Sequence, residues 1–253
     1  MSYRSKRWSR WEVDLSAEAT QSLSANQDYT IAGKTWTKVN STNDQTAMAL
    51  TNGTGLVITP KAGSTDYSAD GSTRTVPMLK TRLDGIITNF HPGMWIRAWA
   101  YVSASNHAAN FDSAILALEN GTNLSHVLKR GYSSSASPNP GFIKHTICAA
   151  TGTYRACGLS DTHNVMVVEA SPLVQAFPST KTYSGTYSSG FPALSSLSGH
   201  LVSTNGNTTI PIGAADPTAW MLVLGALRYQ SVTSYACTFA RVRLEWLDPT
   251  GTT

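Results

Sequence analysis

Charge is scarce in this sequence: Asp, Glu, Lys and Arg make up 13% of its 253 residues, about half the share usual in a globular protein. Ser, Thr, Asn and Gly fill the gap, giving a surface of small neutral polar groups suited to lying against other protein or carbohydrate. Long apolar runs are missing too. The longest, residues 219–227, has nine residues, against the roughly eighteen a membrane-spanning helix needs, so no membrane partner is expected. No cleaved secretory leader is expected either, because charges fall within residues 8–15, where a leader would be apolar. Cysteines number only three, an odd count that argues against a disulfide scaffold. A chain of this length buries roughly 70–75% of its unfolded surface and requires neither disulfides nor a structural metal.

Helical periodicity is almost absent; residues 17–24 are the one short candidate. Turn signals recur instead, at Asn52-Gly53, Asp70-Gly71, Asp84-Gly85, Asn120-Gly121 and Asn205-Gly206. Short β-rich runs punctuated in this way predict an all-β sandwich or barrel. In the last strand Ala240, Val242, Leu244 and Trp246 alternate with Arg241, Arg243 and Glu245, one face buried and the other wet. Residues 219–227 are apolar on both faces, as in a central strand covered on each side. Residues 46–50 and 56–60 form a hairpin about Asn52-Gly53. Ile96, Ala98, Ala100 and Val102 alternate with Trp95, Arg97, Trp99 and Tyr101. Residues 133–141 and 180–199, rich in Pro and small polar groups, read as long surface loops. No repeat interrupts the chain, which divides into an N-terminal arm, residues 1–15, and one sandwich domain, residues 16–253.

The aromatic strand at residues 93–102, the following run 114–121 that closes on a Gly turn, and the closing segments 224–228 and 239–245 together resemble the concanavalin-like jelly roll of laminin-G and legume-lectin type. The resemblance spans roughly residues 30–247 and implies an antiparallel β-sandwich; it says little about activity. Ser/Thr/Gly-rich strands with a basic aromatic arm also resemble structural proteins of tailed bacteriophages. That likeness implies a place in the virion, made in the host cytoplasm, as a capsid decoration, head fibre or tail and baseplate component.

Signals for chemistry are weak. The jelly-roll hydrolases carry Glu-x-Asp-x-x-Glu on one strand, since glycoside hydrolysis needs two carboxylates facing one cleft. Here the fifteen acids are scattered, and the only i, i+2 pair, Glu12 and Asp14, falls in the arm, outside the expected sandwich. Six histidines lie in separate segments and no Gly-x-Ser-x-Gly occurs. Asp161 and His163 share a Gly/Ser/Asp stretch that reads as a turn. His145 and Cys148 give half a zinc spacing without its partner half. Asp66, Asp70 and Asp112 form no dense calcium cluster. A catalytic role, a metal and a cofactor are therefore not expected. Five Asn-x-Ser/Thr sequons, at Asn40, Asn52, Asn120, Asn123 and Asn207, carry no weight in a chain so rich in Ser and Thr. Cys148 and Cys157 flank a hairpin-like stretch about Gly152, leaving a bridge or two neighbouring thiols open; Cys237 reads as a small buried hydrophobe.

Two sites remain. The stripe Trp95, Arg97, Trp99, Tyr101 would suit a glycan or an apolar groove, although aromatics of this size more commonly pack beneath a loop or second layer. The arm concentrates four cations (Arg4, Lys6, Arg7, Arg10) and three aromatics, Trp8 and Trp11 among them, within residues 3–11. Trp and Arg are enriched at binding hot spots, so the arm is expected to dock, either on its own sandwich or on a neighbouring subunit of a homo-oligomer. Those four cations supply much of the net charge of +4, and nucleic-acid binding by the folded body is not expected. The expected function is a non-enzymatic virion component assembling with other virion proteins through the arm; the alternative is a lectin-like module reading cell-surface glycan.

Overall fold

The computed structural model describes residues 7–39, 47–60, 77–91, 93–103, 112–120, 124–132, 141–149, 164–170, 181–185, 187–188, 190–201, 220–228 and 236–249. Among them the strands run, in chain order, β1 (Ser9–Asp14), β2 (Gln21–Ser22), β3 (Asp28–Ile31), β4 (Lys34–Val39), β5 (Ala47–Thr51), β6 (Gly55–Thr59), β7 (Met78–Arg82), β8 (Trp95–Ser103), β9 (Asp112–Asn120), β10 (Leu124–Tyr132), β11 (Gly141–Ala149), β12 (Val165–Ala170), β13 (Lys181–Gly185), β14 (Ser198–Leu201), β15 (Trp220–Arg228) and β16 (Cys237–Leu247). They form two antiparallel sheets. Sheet 1 has the order β14-β13-β12-β8-β16-β6-β5-β2, with β1 also on β16; sheet 2 has the order β11-β10-β9-β15-β7-β4-β3. The pairs β8·β16 and β9·β15 are joined by β8→β9 and β15→β16, which both cross between the sheets. The architecture is an all-β antiparallel sandwich, as the sequence predicts. Among the described residues no helix is long and apolar enough to cross a membrane.

Alternation builds the core. Val242 and Leu244 of β16, Ile96, Ala98 and Ala100 of β8, and Met166 and Val168 of β12 face Leu116, Leu118, Leu222, Leu224 and Leu79 of sheet 2, all essentially buried. At roughly 1.5–3 kcal/mol for each buried large aliphatic side chain, this layer dominates stability. β15 is flanked on both sides and buried on both faces, since Val223, pointing away from the core, is also fully covered. Cys237 is buried and unbridged.

Two sequence expectations are corrected. Residues 17–24 do not form a helix. The Asp14 carboxylate accepts from the Ser16 N–H and hydroxyl, which turns the chain. Asn52 Nδ2 then donates to the carbonyls of Ala17 and Glu18. Residues 180–199 are not a continuous loop: they hold β13, a 3-10 turn (Leu194–Ser196) and β14, polar segments that fit the margin of a sheet. The expected hairpin about Gly152, with Cys157, Asp161 and His163, lies outside the described residues, as do Asp66 and Asp70.

One junction positions the N-terminus. β6 pairs with Cys237–Phe239 of β16, and β1 pairs along the same edge from Arg241 to Trp246. Between them β16 shifts register at Ala240, whose carbonyl accepts from the N–H groups of both Leu15 and Ser16. Strands β6 and β1 thus lie end to end, sharing one neighbour.

Candidate interaction site

The arm and the aromatic stripe, separate in the sequence, meet on one face. β1 adds to β16 in a register running from Ser9↔Trp246 to Asp14↔Arg241. Its pleat sends Val13 and Leu15 into the core, with Trp11 packed against it beside Trp36 at 6.4 Å between ring centroids. Glu12, Asp14, Arg10 and Trp8 take the outer face, where Arg7 and Arg10 are exposed and Trp8 is partly covered. Arg4 and Lys6 lie outside the described residues. Of the two docking modes left open by the sequence, residues 8–15 adopt the first and fold onto their own sandwich. The division expected after residue 15 therefore runs between two strands of one sheet. Glu12 and Asp14, expected outside the sandwich, are inside it.

On that face the charges interlock across four strands. Arg243 Nε donates to Glu12 Oε2 at 2.8 Å, and Arg241 Nη2 lies 2.9 Å from Asp14 Oδ2. Arg97 pairs closely with Glu169 of β12 and stands 3.8 Å from Glu245, which also accepts from Trp99 Nε1 at 3.0 Å. The Trp8 ring covers Arg97, its centroid 3.5 Å from the guanidinium carbon, a cation–π contact that clamps the start of β1. Nearby, burial and then the Glu169 charge raise the Tyr183 phenol above its ordinary value.

Asp14 reports on the docking of β1. Burial pushes its carboxyl upward, but the Ser16 hydrogen bonds and the Arg241 charge outweigh it and leave it below its ordinary value of 3.8. A carboxyl depressed in the folded state contributes stability above its unfolded value and loses it as pH falls through the folded value. Wild type is therefore expected to lose more stability than Asp14→Asn on acidification below about pH 4, read from denaturant midpoints across that range. Equal acid sensitivity in both would remove Asp14 from the account.

The aromatic stripe is roofed. Trp99 is 1% exposed; Phe191 meets its ring edge-on at 5.6 Å, and with Val165, Val167 and Leu197 they form a second small core flanked by Tyr187 and Leu194. Asn164 holds this roof by accepting from the Tyr187 N–H at 2.9 Å and donating to the Tyr187 carbonyl at 2.7 Å. Tyr101 adds its hydroxyl to the same carbonyl at 3.1 Å. Trp95 and Arg97 remain partly exposed at the other end of the stripe. A ring covered on this face presents no stacking surface to a sugar. The sequence led us to expect a covering loop or layer over these aromatics but not which residues supply it, because Phe191 stands in a polar stretch without periodicity.

The histidine with a described side chain, His91, accepts at Nδ1 from the Gly93 N–H, and its Nε2 lies 3.3 Å from the buried Asp248. This contact ties the end of β16 to the entry of β8. His145 and Cys148 lie on β11 and Asp112 begins β9. Among the described residues no group of three His, Cys, Asp or Glu could hold a metal ion.

Sequence reasoning also missed a cleft of about 560 Å³ on the outer face of sheet 2. The Asp84-Gly85 turn was its one signal; the rest of the lining comes from β3, β4, β7, β15 and the β3–β4 turn, whose outward residues carry no motif. Thr35, Thr37, Lys80, Arg82 and Met221 line it, with Asp28, Lys34 and Asp84 at its margin. Thr37 donates to Asp28 at 2.6 Å, Lys80 pairs with Glu119 at 3.0 Å, and Lys34 donates to the Gly85 carbonyl at 2.8 Å. Arg82 grips Asp84 with two N–H groups, Nε at 2.8 Å from Oδ1, and that contact lowers the Asp84 carboxyl below its ordinary value.

No family model matches the chain, and no curated protein matches it in sequence. Solved structures do share its architecture. A protein of unknown function from Shewanella oneidensis MR-1 has a TM-score of 0.50 at 10% identity, over 100% of this chain and 92% of that one. Two structures of the GH43 protein BlXynB from Bacillus licheniformis, one a point mutant, give TM-scores of 0.49 and 0.47 at 12% identity. The matches cover 87% and 96% of this chain but 38% and 40% of those, so it spans less than half their length. The likeness to the Shewanella protein concerns fold alone.

Proposed function

We propose that this chain is a non-enzymatic structural component of a tailed-phage particle, a capsid decoration, head-fibre or tail and baseplate protein, joined to its neighbours through its N-terminal segment. The observation that carries this reading is the division of labour along that segment. Val13, Leu15 and Trp11 anchor it to the sandwich, while Arg7, Trp8 and Arg10 are held at the surface by a docked strand. Surface Trp and Arg fixed on a rigid element are hot-spot material. The carboxylates of the same face support a non-catalytic role, since Glu12, Asp14, Glu169 and Glu245 each lie in an ion pair with arginine. Homo-oligomers and contacts with other virion proteins follow from the reading.

The structure dictates which truncation tests it. Removing residues 1–15 would delete a strand of sheet 1, whereas removing residues 1–8 leaves β1 whole. Light scattering after gel filtration is expected to give an oligomer for the full chain and a smaller species for the chain lacking residues 1–8. Monomers in both forms, with no association with particles, would defeat the reading.

A further inference from the structure

We infer that the cleft on the outer face of sheet 2 binds a neutral oligosaccharide. Its volume lies in the range of small-ligand sites, and its floor is a grid of outward-facing residues from adjacent strands. Thr37 stands opposite both Asp28 and Lys80, while Met221 stands opposite both Arg82 and Glu119.

Charge balance selects the ligand class. Of the charged residues lining it, the cations Lys34 and Arg82 are matched by the carboxylates Asp28 and Asp84, and Lys80 is neutralised by Glu119, which is buried outside the lining. The site is neutral and gives an anion no net attraction. What it offers is donors and acceptors side by side. The Arg82–Asp84 fork and the Thr37–Asp28 pair each place an N–H or hydroxyl beside a carboxylate, the arrangement that vicinal diols of a sugar satisfy. The Lys34 ammonium donates one N–H to the Gly85 carbonyl and carries three donors in all. Met221 adds an apolar patch for the C–H face of a pyranose. Because these groups are already pinned to one another, little side-chain entropy is lost on binding.

Ala32 and Gly33, at φ of 51° and 69°, form the two-residue β3–β4 turn, whose positive φ at both positions is the ordinary form of a tight hairpin, and that turn sets Lys34 at the cleft. Carbohydrate recognition, the alternative use of the Trp95–Tyr101 stripe, is thereby assigned to the opposite sheet, clear of the roof over Trp99. The inference is independent of the assembly reading, because β1 lies on sheet 1.

The test is an amide chemical-shift titration of the full chain with maltose, cellobiose and lactose, and with sialyllactose as the acidic control. Millimolar, saturable shifts confined to residues 28–37 and 80–85 are expected for at least one neutral sugar. Thr37→Val and the charge-neutral double variant Arg82→Ala/Asp84→Ala should each weaken that binding about tenfold or more, with the melting temperature of Thr37→Val unchanged. Four results would overturn the inference: no shift with any neutral sugar, shifts centred on residues 95–101 and 187–197, tighter binding of sialyllactose than of lactose, or undiminished binding by Thr37→Val.

Discussion

Gly55→Ala is expected to destabilise the fold by about 3 kcal/mol or more, the range reserved for severe backbone and core damage. Gly55 has φ of +117°, and a Cβ there would press into the Phe239 carbonyl oxygen while standing 3.0 Å from Ala240 Cα. Both neighbours are backbone, so no rotamer change relieves the clash, and the left-handed conformation penalises alanine in addition. The damage falls where the edge of β16 passes from β6 to β1. Hydrogen exchange of the β1 amides should therefore accelerate beyond what global destabilisation alone gives. A denaturant midpoint close to wild type would show that the two backbones do not approach so tightly.

Trp11→Ala is expected to cost about 2–4 kcal/mol, somewhat below the range for a fully buried tryptophan, because Trp11 is only partly covered beside Trp36. Trp8→Ala, on the outer face, loses chiefly the contact over Arg97 and is expected to cost about 1 kcal/mol. The pair separates anchoring from assembly. If the N-terminal segment joins neighbours through its surface side chains, Trp8→Ala should weaken the oligomer while the melting temperature barely moves. Trp11→Ala should lower the melting temperature first. A reversed order would mean that β1 is inside out, with Trp8 toward the core and Trp11 toward solvent.

Strand character was legible wherever side chains alternate strictly. In β16, Val242 and Leu244 against Arg241 and Arg243 set both the element and its buried face, and the double-sided burial of β15 followed from its unbroken apolar run. The stripe of β8 was legible as a strand but ambiguous as a site, since periodicity gives a face and not what lies over it. Phe191 and its neighbours sit far along the chain in a polar stretch, and only tertiary structure brings them over Trp99. β1 reads as an arm because its charges and tryptophans mask its period of two: Trp11, Val13 and Leu15 alternate with Arg10, Glu12 and Asp14. The partners that neutralise those acids, Arg241 and Arg243, are more than two hundred residues away. The cleft was illegible for a further reason. In β4 the inward positions hold Trp36 and Lys38, both buried, so a lysine occupies a core-facing position and the outward Thr35 and Thr37 lose contrast.

The pairing of β1 with β16 also sets how the protein carries mechanical load. Ser9 lies opposite Trp246 and Asp14 opposite Arg241, so traction on the N-terminal side of Ser9 and the C-terminal side of Leu247 acts at the same end of an antiparallel ladder. Its rungs, each a hydrogen bond worth roughly 0.5–1.5 kcal/mol net, are then strained one after another, as a zip opens. If the N-terminal side is held and the far end of the sandwich is dragged instead, the same rungs are strained together in shear. The sandwich thus resists force well in one direction and yields in the other, and the direction in which it is tethered decides which.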